Sequence, residues 1–180
     1  MNFLEGKKTY LRPLEKEDIK GNYRKWFNDQ VVCLHNAHGV FPVTTGDLEK
    51  YLDSAAQDKV VLGIFDVQSH EHIGNVSLQQ IDWVSRNAEF AIIIGEKKYW
   101  RGGYGKEVAD LALYHGFIRM NLERIYCGTS EDNIAMQKLA EYMLMHKEGV
   151  QRNALYLNGE YKDTYNYGLL RNEYLSGKKI

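Results

Sequence analysis

Cysteine and proline are both scarce in this sequence of 180 residues. The two cysteines, Cys33 and Cys127, lie far apart and form no CxxC pair. A disulfide framework and a cysteine-rich zinc site are therefore both unexpected. The only prolines are Pro13 and Pro42, and no Ser/Gly-rich linker divides the chain. We therefore predict a single domain that extends over residues 1–180.

Long apolar runs and an excess of charge are also absent. No apolar stretch approaches the roughly 20 residues that cross a bilayer, and Met1–Arg12 has no apolar signal-peptide core. The formal net charge is −1, whereas proteins that bind a phosphate backbone are usually basic. Hydrophobic residues make up 44% of the chain, which excludes intrinsic disorder. We predict a cytoplasmic protein that has neither a membrane nor a nucleic acid as its partner.

The order of predicted elements indicates an α/β (α+β) domain with a mixed, mostly antiparallel sheet of about seven strands and helices on its faces. The pair Thr44 and Asp47 fits a capping box, and the helix that it opens carries Leu48, Tyr51, Leu52 and Ala55. Asn158-Gly159 is a strong hairpin signal. The predicted strands are Lys7–Arg12, Val60–Val67, His72–Ile81, Ala88–Ile94, Arg124–Gly128, Glu148–Leu157 and Glu160–Leu170. The other predicted helices are Leu14–Phe27, Lys106–Met120 and Asn133–Met145.

A glycine-rich turn between a strand and a helix is the most informative segment of the chain. After the strand that ends at Ile94, the sequence Arg101-Gly102-Gly103-Tyr104-Gly105-Lys106 leads into the predicted helix. Glycines let consecutive N–H groups converge, and a helix N-terminus adds free donors, so such a turn suits a phosphate. The nucleotide patterns GxxxxGKS, GxxxxGKT and GxGxxG are absent. A pyrophosphate on another carrier fits better, and a tight turn without a ligand is the alternative.

These segments, in this order, resemble a known enzyme family. Glu89–Ile94 followed by Tyr99–Glu107 resembles the acetyl-CoA motif of the GNAT acetyltransferases, and Asn133–Glu141 resembles their second motif. The likeness is greatest to the branch that contains the ribosomal-protein and amino-sugar N-acetyltransferases. It extends over nearly the whole chain, from Leu11–Leu14 through Glu148–Ala154 to Asn158–Asp163.

The resemblance implies a fold, a cosubstrate and a set of binding residues. The fold would be a single GNAT-like domain with a central splay in its sheet, and the cosubstrate would be acetyl-CoA, without a metal. The loop amides would hold the pyrophosphate, the strand backbone would pair with pantetheine, and Asn133 would bind the pantetheine arm. The cofactor-binding residues so implied are Ile92, Ile93, Ile94, Arg101, Gly102, Gly103, Tyr104, Gly105, Lys106, Asn133 and Lys138.

Two proton transfers accompany acetylation of an amine. A lysine-like amine has a pKa of about 10.4 and must lose a proton before it attacks the thioester. Glu89 is the predicted catalytic base, because a carboxylate is unusual in the apolar strand Ala88–Ile94; a solvated residue at a strand edge is the alternative. The departing thiolate needs a proton, and many family members supply it from a Tyr at the position of Ala140. Tyr142, Tyr165, Tyr167 and water are the other sources, although Tyr142 points away from that position on the helix.

The acceptor amine is predicted to bind to the segment between the first two helices. This segment runs from Trp26, at the end of the first helix, to Gly39. It is polar, and we predict that its Trp26, His35 and His38 bind the acceptor. Hydrogen-bonded loop histidines are the alternative, and no HExxH pattern supports a metal. The favoured acceptor is an aminosugar, including a nucleotide-linked one. A polyamine site should show an acidic cluster, which these motifs lack.

Two other functions stay open at this point. One is acetylation of a protein N-terminus within the same fold. The other is acyl-CoA sensing without catalysis, which the alanine at position 140 favours. The sequence does not determine the oligomeric state, and a homodimer is one of the possibilities.

Overall fold

The computed structural model describes residues 1–53 and 58–177. Its strands are β1 (Leu4–Glu5), β2 (Thr9–Pro13), β3 (Val60–Asp66), β4 (His72–Asp82), β5 (Asn87–Ile94), β6 (Arg124–Ser130), β7 (His146–Leu157) and β8 (Glu160–Leu170). They form one sheet in the order β1-β2-β3-β4-β5-β6-β8-β7. Among these described strands, β5 and β6 run parallel and every other neighbouring pair is antiparallel. The predicted mixed, mostly antiparallel sheet is confirmed.

Helices cover both faces of the sheet. They are α1 (Lys16–Asp18), α2 (Arg24–Phe27), α3 (Thr45–Asp53), α4 (Tyr104–Tyr114), α5 (Ile134–Tyr142) and α6 (Arg171–Gly177). One buried cluster joins α4, α5 and α6 to one face, for example through Val108 and Phe90. A second cluster, around Tyr23 and Leu48, lies under α1–α3 on the other face. Within the two described ranges, no helix is long and apolar enough to cross a membrane.

Several predicted boundaries differ from the structure. The described sheet has eight strands rather than about seven, because Leu4–Glu5 adds a two-residue strand that is too short to show an alternation pattern. Helix α6 was not predicted. The capping box at Thr44 and the left-handed turn at Asn158 and Gly159 (φ 53° and 89°) are both confirmed. Ala55 lies outside the described residues.

The predicted first helix, Leu14–Phe27, is interrupted. A π-helical turn, Ile19–Tyr23, separates α1 from α2, and Gly21 within it has non-helical angles (φ −82°, ψ −137°). Glycine permits this conformation because it has no Cβ. The predicted apolar stripe is nevertheless buried, and it consists of Ile19, Tyr23, Trp26 and Phe27.

The parallel pair at the centre of the sheet opens like a wedge. Residues Asn87–Glu89 of β5 pair with Arg124–Tyr126 of β6, and the pairing ends at Glu89 and Tyr126. Beyond that point β5 continues beside β4 to Ile94, while β6 continues beside β8 to Ser130. Strand β5 therefore has a free hydrogen-bonding edge from residue 90 onward. This is the central splay that the resemblance implies.

Candidate active site

The glycine-rich loop presents unpaired amides at the start of α4. Gly103, the N-cap residue of α4, has φ 82°, and Arg101 is also left-handed at φ 62°. The first helical hydrogen bond runs from Glu107 N to Gly103 O, so the amides of residues 104–106 precede the helical ladder. A Cβ on Gly105 would meet no atom within 4 Å. The loop is therefore open where its donors are free, and this arrangement fits the pyrophosphate of CoA.

A contact with β2 holds this loop from behind. Oε1 of Glu107 accepts hydrogen bonds from Lys8 N (2.9 Å), Thr9 N (2.8 Å) and Thr9 Oγ1 (2.9 Å). Lys8 Nζ donates to Gly102 O over 2.8 Å. Partial burial raises the pKa of Glu107, but the hydrogen bonds from Lys8 and Thr9 outweigh it and lower the pKa overall. The first turn of α4 is thus tied to the sheet, a feature that the sequence analysis missed.

The backbone of β5 alternates between its neighbour and the wedge. Gly95 N donates to Ile73 O, so Ile94 and Gly74 form a non-hydrogen-bonded pair. It follows that the backbone groups of Ile92 and Ile94 point into the wedge, whereas those of Ile93 bond to β4. Trp100 Nε1 donates to Ile94 O over 2.7 Å. The groups open to a pantetheine chain are therefore those of Ile92 together with the Ile94 amide.

Glu89 lies at the apex of the wedge. It forms the last parallel pair with Tyr126, and its side chain lies on the same face as Ile93, which packs against the cluster under α1–α3. Oε2 of Glu89 accepts two amide hydrogen bonds, from Gln79 Nε2 (2.8 Å) and Gln80 Nε2 (3.0 Å). A carboxylate therefore faces the α1–α3 side of the sheet, where the acceptor is predicted to bind, at the point where the two strands separate.

Helix α5 carries the second motif beside the wedge. Asn133 is its N-cap, and Asn133 Oδ1 accepts from Met136 N over 3.1 Å. Lys138 is exposed on the same helix, and Ala140 is fully buried. Tyr142 does not replace the missing tyrosine, because its hydroxyl donates to Asp110 Oδ2 over 2.7 Å and this bond raises its pKa. Tyr165 and Tyr167 lie on β8, where Tyr167 is buried.

The predicted acceptor-binding residues differ in how far their side chains are exposed to solvent. Trp26 is 3% exposed, its indole N–H donates to Glu96 Oε1 over 2.9 Å, and its ring contacts Gly95. His35 is half-buried, whereas His38 is exposed and stacks edge-on against a buried phenylalanine.

The tip of the β7–β8 hairpin meets the acceptor segment. The side chain of Asn158 donates from Nδ2 to Leu34 O over 3.3 Å. This contact brings a strand pair from the far side of the wedge against the segment that carries the two histidines. The acceptor side of the wedge is therefore bordered by that segment on one side and by the hairpin tip on the other.

Comparison with known proteins identifies the family. The family described as acetyltransferase (GNAT) domain matches residues 8–145. The chain belongs to this family. The spermidine N(1)-acetyltransferase of Vibrio cholerae is 31% identical over 175 residues, which cover 92% of this chain and 95% of that protein. The Escherichia coli (strain K12) spermidine N(1)-acetyltransferase is 26% identical over 171 residues, covering 94% of this chain and 89% of that protein.

A solved structure supports the fold of this GNAT protein. The Vibrio cholerae spermidine N-acetyltransferase in complex with CoA and spermine superposes with a TM-score of 0.85 at 24% identity, covering 94% of this chain and 99% of that one. The family match and this fold together show an acetyl-CoA-dependent N-acetyltransferase, and its glycine-rich loop and open strand edge fit that cosubstrate. Among the described residues, no group of three or more His, Cys, Asp and Glu side chains is arranged to hold a metal.

Neither cysteine of this GNAT enzyme is placed to act as a nucleophile. Both are buried, and burial raises the pKa of the Cys127 thiol to about 12. Cys33 Sγ donates to Trp26 O over 3.2 Å. Because a thiol attacks only as its thiolate, direct transfer from acetyl-CoA to the amine is expected.

We expect a variant with Cys33→Ala and Cys127→Ala to keep kcat within about threefold of the wild type, because neither sulfur touches the reacting atoms. Intact-mass spectrometry after incubation with acetyl-CoA alone should show no added acetyl group on the wild-type protein. A stoichiometric acetyl adduct that disappears in the variant would instead indicate a covalent acetyl-enzyme.

Proposed function

We propose that this enzyme acetylates the single primary amine of a small polar molecule, with an aminosugar as the favoured acceptor, nucleotide-linked ones included. The observation that carries the proposal is the composition of the wedge apex. It offers one carboxylate, Glu89, flanked by the neutral amides of Gln79 and Gln80. One carboxylate matches one amine, and neutral amides match hydroxyl groups.

In this proposal Glu89 takes the proton from the acceptor. Bound acetyl-CoA supplies an activated acetyl thioester. Glu89 lies on the acceptor face, at the point where β5 and β6 separate, so a bound amine can reach it directly or through one water. The amine then attacks without a protein nucleophile. Since Ala140 is buried and the Tyr142 hydroxyl is bonded to Asp110, water is the proposed proton source for the leaving thiolate.

A polyamine is the second candidate, because the Vibrio cholerae relative is a spermidine acetyltransferase with 31% identity. Such an acceptor carries several positive charges and would need several carboxylates. Two carboxylates near the acceptor segment already have partners: Asp29 binds Lys97 Nζ at 2.7 Å, and Glu96 accepts the Trp26 N–H. The charge of Asp29 is thus already balanced by Lys97, which supports an acceptor with a single amine over a polycation.

A CoA-release assay across acceptors tests the proposal. The panel contains a nucleotide-linked aminosugar, a free aminosugar, spermidine and a peptide with a free N-terminus. We expect kcat/KM for an aminosugar to exceed that for spermidine and for the peptide by at least about tenfold, equal to about 1.4 kcal/mol of transition-state binding. A preference for spermidine or the peptide would overturn the ranking. Binding of acetyl-CoA without CoA release from any amine would indicate a sensor.

A further inference from the structure

A bulge in β4 lies next to Glu89, and the proposed reaction has given it no role. Gln79 pairs with Glu89, and the next paired residues are Asp82 and Asn87. Between these two pairs, β4 advances by three positions and β5 by only two. Strand β4 therefore has one extra residue there, which is a β-bulge. Gln80, within this bulge, has φ 52°, in the left-handed region that few residues other than glycine adopt.

The bulge changes the direction of one side chain. In a regular strand, consecutive side chains point to opposite faces of the sheet, so Gln79 and Gln80 could not reach the same group. Here both amides donate to a single atom, Glu89 Oε2, at 2.8 and 3.0 Å. The Gln79 amide is oriented in turn by Ser77, whose Oγ donates to Gln79 Oε1 over 3.3 Å.

We propose that Gln79 and Gln80 are positioning residues that fix Glu89 for catalysis, an inference that rests on the proposed role of Glu89 as the base. Both donors bind Oε2, so the other oxygen, Oε1, is left to accept the proton of the amine. A strained residue kept beside a reacting group is consistent with such a role.

Replacing Gln80 with Gly separates positioning from stability. Glycine adopts φ 52° without strain, so the variant should fold at least as well as the wild type, but it lacks the amide donor. We expect kcat to fall by about tenfold, the size of one lost hydrogen bond to a charged group, while KM for acetyl-CoA stays unchanged. The matched control is Leu144→Gly, since Leu144 is also left-handed (φ 62°) and exposed but lies at the end of α5. The control should keep the wild-type kcat.

A double-mutant cycle tests whether Gln80 acts through Glu89. In a Glu89→Gln background, Gln80→Gly should have no further effect on kcat, because the base is already lost. A second test replaces Gln79 with Glu. This change places a carboxylate beside that of Glu89, so that one of the two keeps its proton to higher pH. The acid limb of the kcat profile should then move up by at least about one pH unit, which loss of a structural contact alone would not cause.

The outcomes separate this inference from the proposed function. If Glu89→Gln lowers kcat but Gln80→Gly does not, Glu89 is the base and the positioning role is wrong. An additive loss in the double variant would also overturn positioning. If Glu89→Gln leaves kcat unchanged, the assignment of the base is wrong and the positioning role fails with it.

Discussion

Glu89→Gln is expected to lower kcat by about 10²–10⁴-fold at neutral pH, the usual contribution of a general base. The change preserves the shape of the side chain. The amide oxygen of the new residue can still accept from Gln79 and Gln80, which places its NH₂ group where Glu89 Oε1 faced the amine. That group donates and cannot take a proton, so basicity is lost while the local structure is kept. KM for acetyl-CoA should change little, because the glycine-rich loop, which we expect to hold the pyrophosphate, begins beyond the other end of β5.

Steady-state kinetics from neutral to high pH check this expectation. The difference in kcat between the wild type and the Glu89→Gln variant should shrink as pH rises, since a free amine then forms without help from a base. Glu123→Gln is the matched control, because Glu123 is an exposed carboxylate whose ion pair with Arg86 lies in a surface turn. Near-wild-type kcat for Glu89→Gln at neutral pH, with chemistry shown to be rate-limiting, would mean that the proton leaves through water.

The parts of the fold that were predicted correctly depend on local sequence. The capping box needs only Thr44 and Asp47, three residues apart, and the hairpin turn needs only Asn158 and Gly159 with positive φ. Apolar periodicity likewise predicted which residues of the first helix are buried. The break at Gly21 was not predicted. The apolar periodicity of the neighbouring residues does not show whether a single glycine leaves the helical region.

The supports of the site depend on contacts between distant residues. Lys8 and Thr9 meet Glu107 across 98 or 99 positions of the chain, and no pattern in either segment signals the contact. The left-handed conformation of Gln80 could not be predicted either, because glutamine is not a residue type that indicates a bulge. Trp26 was predicted to bind the acceptor because it lies at the start of a polar segment. In the structure its indole lies in the core, and the indole N–H donates to Glu96. Its role with the acceptor stays a prediction.

The wedge between β5 and β6 could be predicted only through the resemblance to a family. The parallel pairing stops after three residues, and beyond it β5 stays beside β4 while β6 stays beside β8. Hydrophobic alternation in either strand is the same whether its neighbour stays paired or diverges. The apolar pattern of β5 therefore indicated a strand but gave no sign of its free edge.

Gly103→Asp is expected to weaken acetyl-CoA binding by at least about 100-fold. A carboxylate at the N-cap of α4 would lie beside the proposed pyrophosphate site, and at a separation of about 6 Å repulsion between like charges costs about 2–3 kcal/mol at an effective dielectric constant near 20. The fold should persist, because the nearest atom to a Cβ at this position is Lys8 Nζ, at 3.7 Å. Calorimetric titration of the variant with acetyl-CoA measures the loss, and thermal unfolding verifies that the variant is folded.

Gly103→Asn is the matched control that isolates the charge. Asparagine has nearly the same size as aspartate, and both tolerate the left-handed conformation that Gly103 adopts at φ 82°. Strain and bulk are therefore common to the two variants, and we expect the Asn variant to lose only about tenfold in affinity, an amount equal to about 1.4 kcal/mol. The difference between the two should narrow as salt rises, because the Debye length falls from about 8 Å at physiological ionic strength to about 3 Å at 1 M, below the separation of the two charges. Equal affinities for the Asp and Asn variants at low salt would mean that this loop does not hold the pyrophosphate.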